Sequence, residues 1–112
     1  MKFMIMVFGD EATLHIRAKS DIEREAAFMV QFEDELATGG ELVYSEVLEF
    51  GASGTLVEAY GGTRRGSFST LLRYWVVRVP AETRAIELAA RVASVTASTV
   101  EVRQCMEQST VP

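Results

Sequence analysis

The chain opens with a short apolar run that stops abruptly. Phe3–Phe8 holds no polar residue, and Gly9, Asp10 and Glu11 follow at once. A run this short is consistent with a strand buried on both faces, and its aromatic and β-branched content and the glycine breaker favour a strand over a buried helical segment. A first strand without a solvent-facing side has to lie inside a covered sheet or in a subunit interface. The sequence therefore predicts a buried strand at Lys2–Phe8.

Composition limits the classes of protein that fit. The 112 residues predict one domain, residues 1–112, and the net charge of −5 argues against binding to nucleic acid or to an anionic membrane surface. One cysteine and one histidine give neither a disulfide framework nor a zinc-ligand set, so we predict no metal and no cofactor. No leader segment and no run long enough for a membrane helix is visible, which predicts a cytoplasmic protein.

Periodicity predicts five strands and two helices in the order β-α-β-β-β-α-β. The strands are residues 2–8, 42–50, 55–60, 71–79 and 99–106, and the helices are residues 20–37 and 81–95. Ser20 and Glu23 predict a capping box at the first helix, which Gly39 and Gly40 would end. The third and fourth strands are predicted to form a hairpin. The polar tail, residues 107–112, is predicted to fray.

This order predicts an α+β fold of the ferredoxin-like plan, with a mainly antiparallel sheet and two helices on one of its faces. Leu42, Tyr44 and Glu46 are expected on one face of the second strand, and Val100 and Val102 are expected to point inward. Two helices cover only one face of the sheet. Because the first strand is apolar on both sides, we expect two copies to pair face to face as a homodimeric α/β barrel with a cleft between the sheets.

Several stretches resemble the YCII-related (DGPF-domain) family of the dimeric α/β barrel superfamily. Arg65-Gly66-Ser67-Phe68 stands where that family has Asp-Gly-Pro-Phe, so two of the four residues differ. The other similar stretches are Met1–Ala12, Phe32–Leu36 with the following glycines and Leu42-Val43, Tyr74–Val77, Ala85–Arg91 and Val100–Arg103. The resemblance implies a dimeric barrel but no settled activity: some members resemble small-molecule lyases or isomerases, and others sit beside sigma factors. A histidine–aspartate pair that the resemblance would supply has no match here.

Two residues are candidates for proton transfer. Glu33 falls within the apolar stripe of the first helix, where a carboxylate facing a sheet would be desolvated and suited to acid–base chemistry. The alternative is a rim position or a pairing with an arginine. His15 could act as a general acid or base, with Asp10 or Glu11 to orient it, or could be an ordinary loop histidine in solvent.

The predicted cleft supplies candidates for substrate binding. Tyr44, Glu46, Tyr74 and Arg78 alternate along strands and would line it, while Asp10 and Arg103 would lie at its mouth. The alternatives are ordinary sheet surface, dimer contact and exposed charges at strand ends.

Two other features point to no chemistry. The glycine-flanked pair Arg64-Arg65 lacks the spacing of a phosphate loop, so a solubilising hairpin is the better interpretation, and Cys105 is an idle or packed thiol because no base is identifiable.

Three interpretations of function remain open on the sequence. The chain is an acid–base enzyme of the lyase or isomerase type, a non-catalytic ligand-binding or regulatory dimer associated with transcription, or a structural dimer without a ligand.

Overall fold

The computed structural model describes residues 1–106, apart from the side chain of Leu14, and the predicted fraying of the tail concerns residues outside this range. The described chain forms six strands, three α-helices and one 3₁₀ turn. In chain order these are β1 (Lys2–Phe8), α1 (Glu11–His15), α2 (Lys19–Thr38), β2 (Leu42–Val47), the 3₁₀ turn (Gly51–Ser53), β3 (Thr55–Val57), β4 (Thr63–Arg65), β5 (Leu71–Arg78), α3 (Glu82–Thr96) and β6 (Val100–Gln104).

Four of the strands form one antiparallel sheet in the order β2-β5-β1-β6. The apolar opening run is β1, an inner strand, with β5 on one side and β6 on the other. Each long helix links strands that are not neighbours in the sheet, β1 to β2 and β5 to β6. The predicted α+β class with a mainly antiparallel sheet is confirmed, and the arrangement is compatible with the ferredoxin-like plan.

The core lies between the sheet and the two long helices. Phe3, Ile5 and Val7 of β1 alternate toward the helices, and Trp75 and Val77 of β5 lie beside them. Val100 and Val102 pack against this cluster, so their predicted inward orientation is confirmed. The helices supply Met29, Phe32 and Leu36 from α2 and Ala85, Leu88, Ala89 and Val92 from α3. Both long helices therefore cover the same face of the sheet, as predicted.

The segment between β1 and α2, and the first turn of α2, differ from the sequence-based prediction. The predicted loop after β1 contains the short helix α1, so the described chain has three helices rather than two. The capping box is wrong: α2 begins at Lys19, and its N-cap is Ala18, without a side-chain cap. The Ala18 carbonyl accepts hydrogen bonds from the amides of Asp21 and Ile22, which places Ser20 inside the first turn.

The predicted hairpin between residues 55–60 and 71–79 is also wrong. β3 pairs with β4, a segment for which the sequence predicts no strand, and the two form a separate sheet. A register shift between Leu42 and Tyr44 further interrupts the predicted alternation of β2. Because of it, Leu42 packs against the core while Tyr44 and Glu46 lie on the other side.

The face of the sheet opposite the long helices has no covering layer in the described chain. The molecule measures 48 × 44 × 20 Å. A thickness of about 20 Å corresponds to two layers, since packed layers lie about 10 Å apart. We call this surface the open face, and its side chains include Met4, Met6, Tyr44, Glu46, Tyr74, Val76, Arg78, Glu101 and Arg103.

None of the helices within residues 1–106 combines the length and apolar character that crossing a bilayer requires.

Candidate functional site

The open face brings together five of the residues that the sequence predicted for ligand binding, and Arg78 lies at its end on β5. Tyr44 and Glu46 lie on β2, Tyr74 on β5 and Arg103 on β6. Antiparallel register aligns them in two rows across the sheet, because directly opposed residues share a face. One row holds Glu46, Tyr74, Met6 and Glu101, and the next holds Tyr44, Val76, Met4 and Arg103.

Tyr44 and Tyr74 form an aromatic pair at the β2 side of the open face. Their ring centroids lie 6.2 Å apart with the planes tilted by 51°, within the range of favourable aromatic contacts. The Tyr44 hydroxyl donates a hydrogen bond to the Glu46 carboxylate. This bond, together with the negative charge of Glu46, raises the pKa of Tyr44, because losing the phenolic proton would place two negative charges side by side. The Tyr44–Tyr74 aromatic pair thus has a hydrogen-bonding carboxylate, that of Glu46, beside it.

The other side of the open face carries an arginine near a shallow cavity. Arg103 Nε donates to Glu101 Oε2 at 2.8 Å on the same strand. The Arg103 side chain is 71% exposed and that of Glu101 is 38% exposed, so this ion pair contributes little to stability. A cavity of about 250 Å³ adjoins Arg103, with Met4, Met6, Gln104 and Cys105 as its other lining residues. An apolar floor beside an exposed arginine suits a small molecule with one acidic group.

Glu33 lies on the covered side of the sheet, away from these residues. Its Oε1 accepts hydrogen bonds from Trp75 Nε1 at 2.9 Å and from Arg73 Nη2 at 3.3 Å. The Arg73 guanidinium also stacks over the Trp75 ring at 4.5 Å, and burial lowers the pKa of Arg73 although Glu33 opposes that shift. This is the arginine pairing that the sequence analysis gave as the alternative to an acid–base role.

Asp10 and His15 lie beyond the end of β1. Asp10 Oδ1 accepts 2.8 Å hydrogen bonds from the backbone amide and from the hydroxyl of Thr13, and these bonds lower the pKa of Asp10. His15 is exposed, with its Nε2 at 3.6 Å from Glu11 Oε1.

A cavity of about 480 Å³ lies between this loop and the segments that flank β3 and β4. Its lining residues are Gly9–Ala12, Phe50–Ala52, Gly66, Ser67, Ser69 and Thr70.

Arg78 lies at one end of the open face. It is exposed at the end of β5, in register with Lys2, while Asp10 follows the opposite end of β1. The structure therefore places Tyr44, Glu46, Tyr74, Arg78 and Arg103 on one surface, and it leaves Glu33 and the loop residues elsewhere.

Two methionines and one glutamate of this surface were missed by sequence reasoning. The apolar run predicts Met4 and Met6 only as part of a buried strand, whereas they form the floor of the open face. Glu101 lies two residues before its partner Arg103, and opposite charges at i and i+2 on a strand are a signal that the sequence does contain.

Among residues 1–106, no three side chains of histidine, cysteine, aspartate or glutamate are positioned to hold a metal ion. No protein-family model matches the chain, and no curated protein matches it either.

Proposed function

We propose that the chain is a YCII-related homodimer whose two open faces pack toward each other and enclose a small-molecule cleft. The single observation that carries the proposal is the uncovered face of the sheet, which is apolar at its centre and polar toward its edges. Met6 is 8% exposed although no layer covers its side of the sheet, while Met4, Tyr74 and Val76 are half-buried. A second copy is the covering layer that a ferredoxin-like domain of this kind takes in a dimeric α/β barrel.

The proposed ligand is a small aromatic or cyclic acid. Met4 and Met6 would contact its ring and Arg103 would bind its carboxylate, while Tyr44, Tyr74 and Glu46, toward the other side of the sheet, would contact a ligand that extends across the cleft. Acid–base chemistry of the lyase or isomerase type is the reaction class that this proposal includes. Glu46, with the Tyr44 hydroxyl as its hydrogen-bond donor, is the carboxylate that such a ligand would meet.

Sedimentation equilibrium tests the dimer. Val76 is half-buried on the open face of an inner strand, so we expect Val76→Glu to give a monomer. Val30→Glu is the matched control, because Val30 is exposed on α2 and its substitution should leave the dimer intact. A monomeric wild type would contradict the proposal.

Nuclear magnetic resonance with benzoate and salicylate tests the ligand class. We expect shifts of the Met4 and Met6 methyl signals that Arg103→Gln abolishes and that Arg24→Gln, on the outer side of α2, does not. If the ligands shift the Met4 and Met6 methyl signals equally in Arg103→Gln and in the wild type, the proposed role of Arg103 is contradicted.

A non-catalytic ligand-binding or regulatory dimer is the second candidate. The observation that favours it is the engagement of Glu33 with Arg73 and Trp75 on the covered face, where it does not reach the open face. Turnover of a panel of lactones and hydroxy acids separates the two candidates. If turnover is found and neither Glu33→Gln nor His15→Ala changes it, the catalytic roles predicted for these residues are wrong.

A further inference from the structure

The hairpin formed by β3 and β4 projects between β2 and β5, and we call residues 55–65 the arm. Its two strands of three residues pair in register from Thr55 with Arg65 to Val57 with Thr63. Its turn is closed by hydrogen bonds from the Glu58 amide to the Gly62 carbonyl at 3.0 Å and from the Gly61 amide to the Glu58 carbonyl at 3.2 Å. At its base, the Gly66 amide donates to the Gly54 carbonyl at 2.9 Å. The arm is thus ordered by its own backbone.

The rest of the described chain gives the arm little support. Within residues 1–106, neither β3 nor β4 packs extensively against another helix or strand. A two-stranded hairpin by itself is marginally stable in water, and it needs a third strand or a packing surface for independent stability. A hairpin that packs so little against the other helices and strands would gain stability from a surface on a second molecule.

The arm also exposes apolar side chains. Val57 is 76% exposed and Tyr60 is fully exposed. Single exposed apolar residues are ordinary on protein surfaces, but here they lie on the element that lacks support. Tyrosine is enriched in protein interfaces because it combines a large apolar surface with a hydrogen-bonding group.

The charge of the arm is opposite to that of the remaining chain. Two arginines and one glutamate give residues 55–65 a net charge of +1, and since the whole chain carries −5, the remainder carries −6. Arg65 is fixed by hydrogen bonds to the Ser53 carbonyl and the Thr55 hydroxyl, whereas Arg64 pairs with Glu58 at the surface. A basic arm on an acidic body is complementary to a second copy of the same chain.

The area of the open face gives a further argument. Four strands spaced about 4.8 Å apart, each about 20 Å long, present a footprint of about 400 Å². A stable interface buries about 800 Å² of accessible surface on each partner. The open face alone thus supports an interface of modest size, and contact from the arm would enlarge it.

We propose that each arm docks on a second copy of this chain, against the β2 side of that copy's open face, and closes one end of the cleft. There the second copy offers the exposed Tyr44 and the acidic Glu46 to Tyr60 and Arg64 of the arm. Each binding site would then contain residues from both protomers. This inference rests on the homodimer of the proposed function.

The dissociation constant of the dimer tests the arm. In sedimentation equilibrium we expect the double variant Val57→Ser, Tyr60→Ser to raise this constant at least about tenfold, because both side chains would return to water in the dimer. The matched control is the double variant Ile16→Ser, Val30→Ser, whose side chains are 84% and 74% exposed outside the arm and should leave the constant unchanged.

Hydrogen exchange of the wild-type arm gives a second readout that needs no substitution. The amides of Glu58 and Gly61 should become more protected as the protein concentration passes the dissociation constant, because the arm is supported only in the dimer. Two results together would contradict the docking of the arm: a dissociation constant that the double arm variant does not change, and arm amides that exchange at the same rate at all protein concentrations. The proposed dimer would be unaffected by these results. A wild type that stays monomeric overturns the dimer itself, and the arm with it.

Discussion

At the scale of single residues, Tyr44 and Glu46 form the most informative contact of the open face. The hydrogen bond and the charge of Glu46 together raise the pKa of Tyr44. We expect Glu46→Gln to lower the pKa of Tyr44 toward its ordinary value of about 10, because the amide carries no charge. Spectrophotometric titration of tyrosine ionisation measures this, with Tyr44→Phe identifying the Tyr44 component. An unchanged Tyr44 component in Glu46→Gln would contradict the contact.

Glu33 gives a prediction about stability. Trp75 is fully buried, and its indole N–H donates to Glu33. We expect Glu33→Ala to lower the free energy of unfolding by about 2 to 3 kcal/mol, because a buried donor loses its acceptor and Arg73 loses its counter-charge. Glu33→Gln keeps an acceptor for Trp75 and should cost less.

Urea denaturation measures both Glu33 variants. The control is Asp34→Ala on the exposed side of α2, which we expect to change the free energy of unfolding by less than about 0.5 kcal/mol. If Glu33→Ala unfolds like Asp34→Ala, the contact with Trp75 is of no consequence for the fold.

The sequence indicated where the Glu33 side chain points, but it did not indicate which residues Glu33 contacts. The position of Glu33 in the apolar stripe of α2 correctly marked it as a carboxylate facing the sheet. Its two partners follow 40 and 42 residues later, and only the packing of α2 on β5 brings them within hydrogen-bond distance. Local periodicity carries no information about such contacts.

At the scale of elements, Gly54 joins the arm to the body of the molecule. A Cβ atom on Gly54 would lie 2.6 Å from the Gly66 carbonyl oxygen, closer than real contacts allow. We expect Gly54→Ala to separate the two backbones, to break the hydrogen bond between them and to cost about 1 to 3 kcal/mol.

Proton exchange at the Gly66 amide and urea denaturation test this expectation. Ser53→Ala is the control, because Arg65 binds the Ser53 main-chain carbonyl, which the substitution keeps. An undisturbed Gly66 amide in Gly54→Ala would contradict the close approach.

Elements with strong local signals were predicted well, and those set by pairing were not. Lys2–Phe8 has the predicted bounds, since an apolar run between a terminus and a glycine admits few alternatives. β3 lies within the predicted strand at residues 55–60, but β4 is Thr63-Arg64-Arg65, and nothing in its hydrophobic pattern indicates a strand. The shift in β2 likewise arises from its pairing with β5, which the sequence of β2 alone does not contain.

At the scale of the whole molecule, Glu41 ties the end of α2 to the start of α3. Its two carboxylate oxygens each accept a 2.9 Å hydrogen bond from Arg84, and this pairing lowers the pKa of Glu41. Since the pKa is lower in the folded state than in the unfolded chain, the contribution of Glu41 to stability is present above the unfolded value of about 4.3 and is lost as the pH falls below it.

We therefore expect the stability of the protein to decrease on acidification below about pH 4.3, and less steeply in Glu41→Gln than in the wild type. Denaturation with urea at a series of pH values measures the slope, and Asp34→Asn is the control. An equal slope in Glu41→Gln and wild type would contradict the contribution of this ion pair.

The sheet order has a consequence for how such a chain can diverge. β2 and β5 are adjacent antiparallel strands, so everything between Val47 and Leu71 is, topologically, one long hairpin loop. A short turn could replace it without altering a single strand pairing of the four-stranded sheet. This segment can thus diverge in length and sequence while the four-stranded sheet and the packed core keep their architecture.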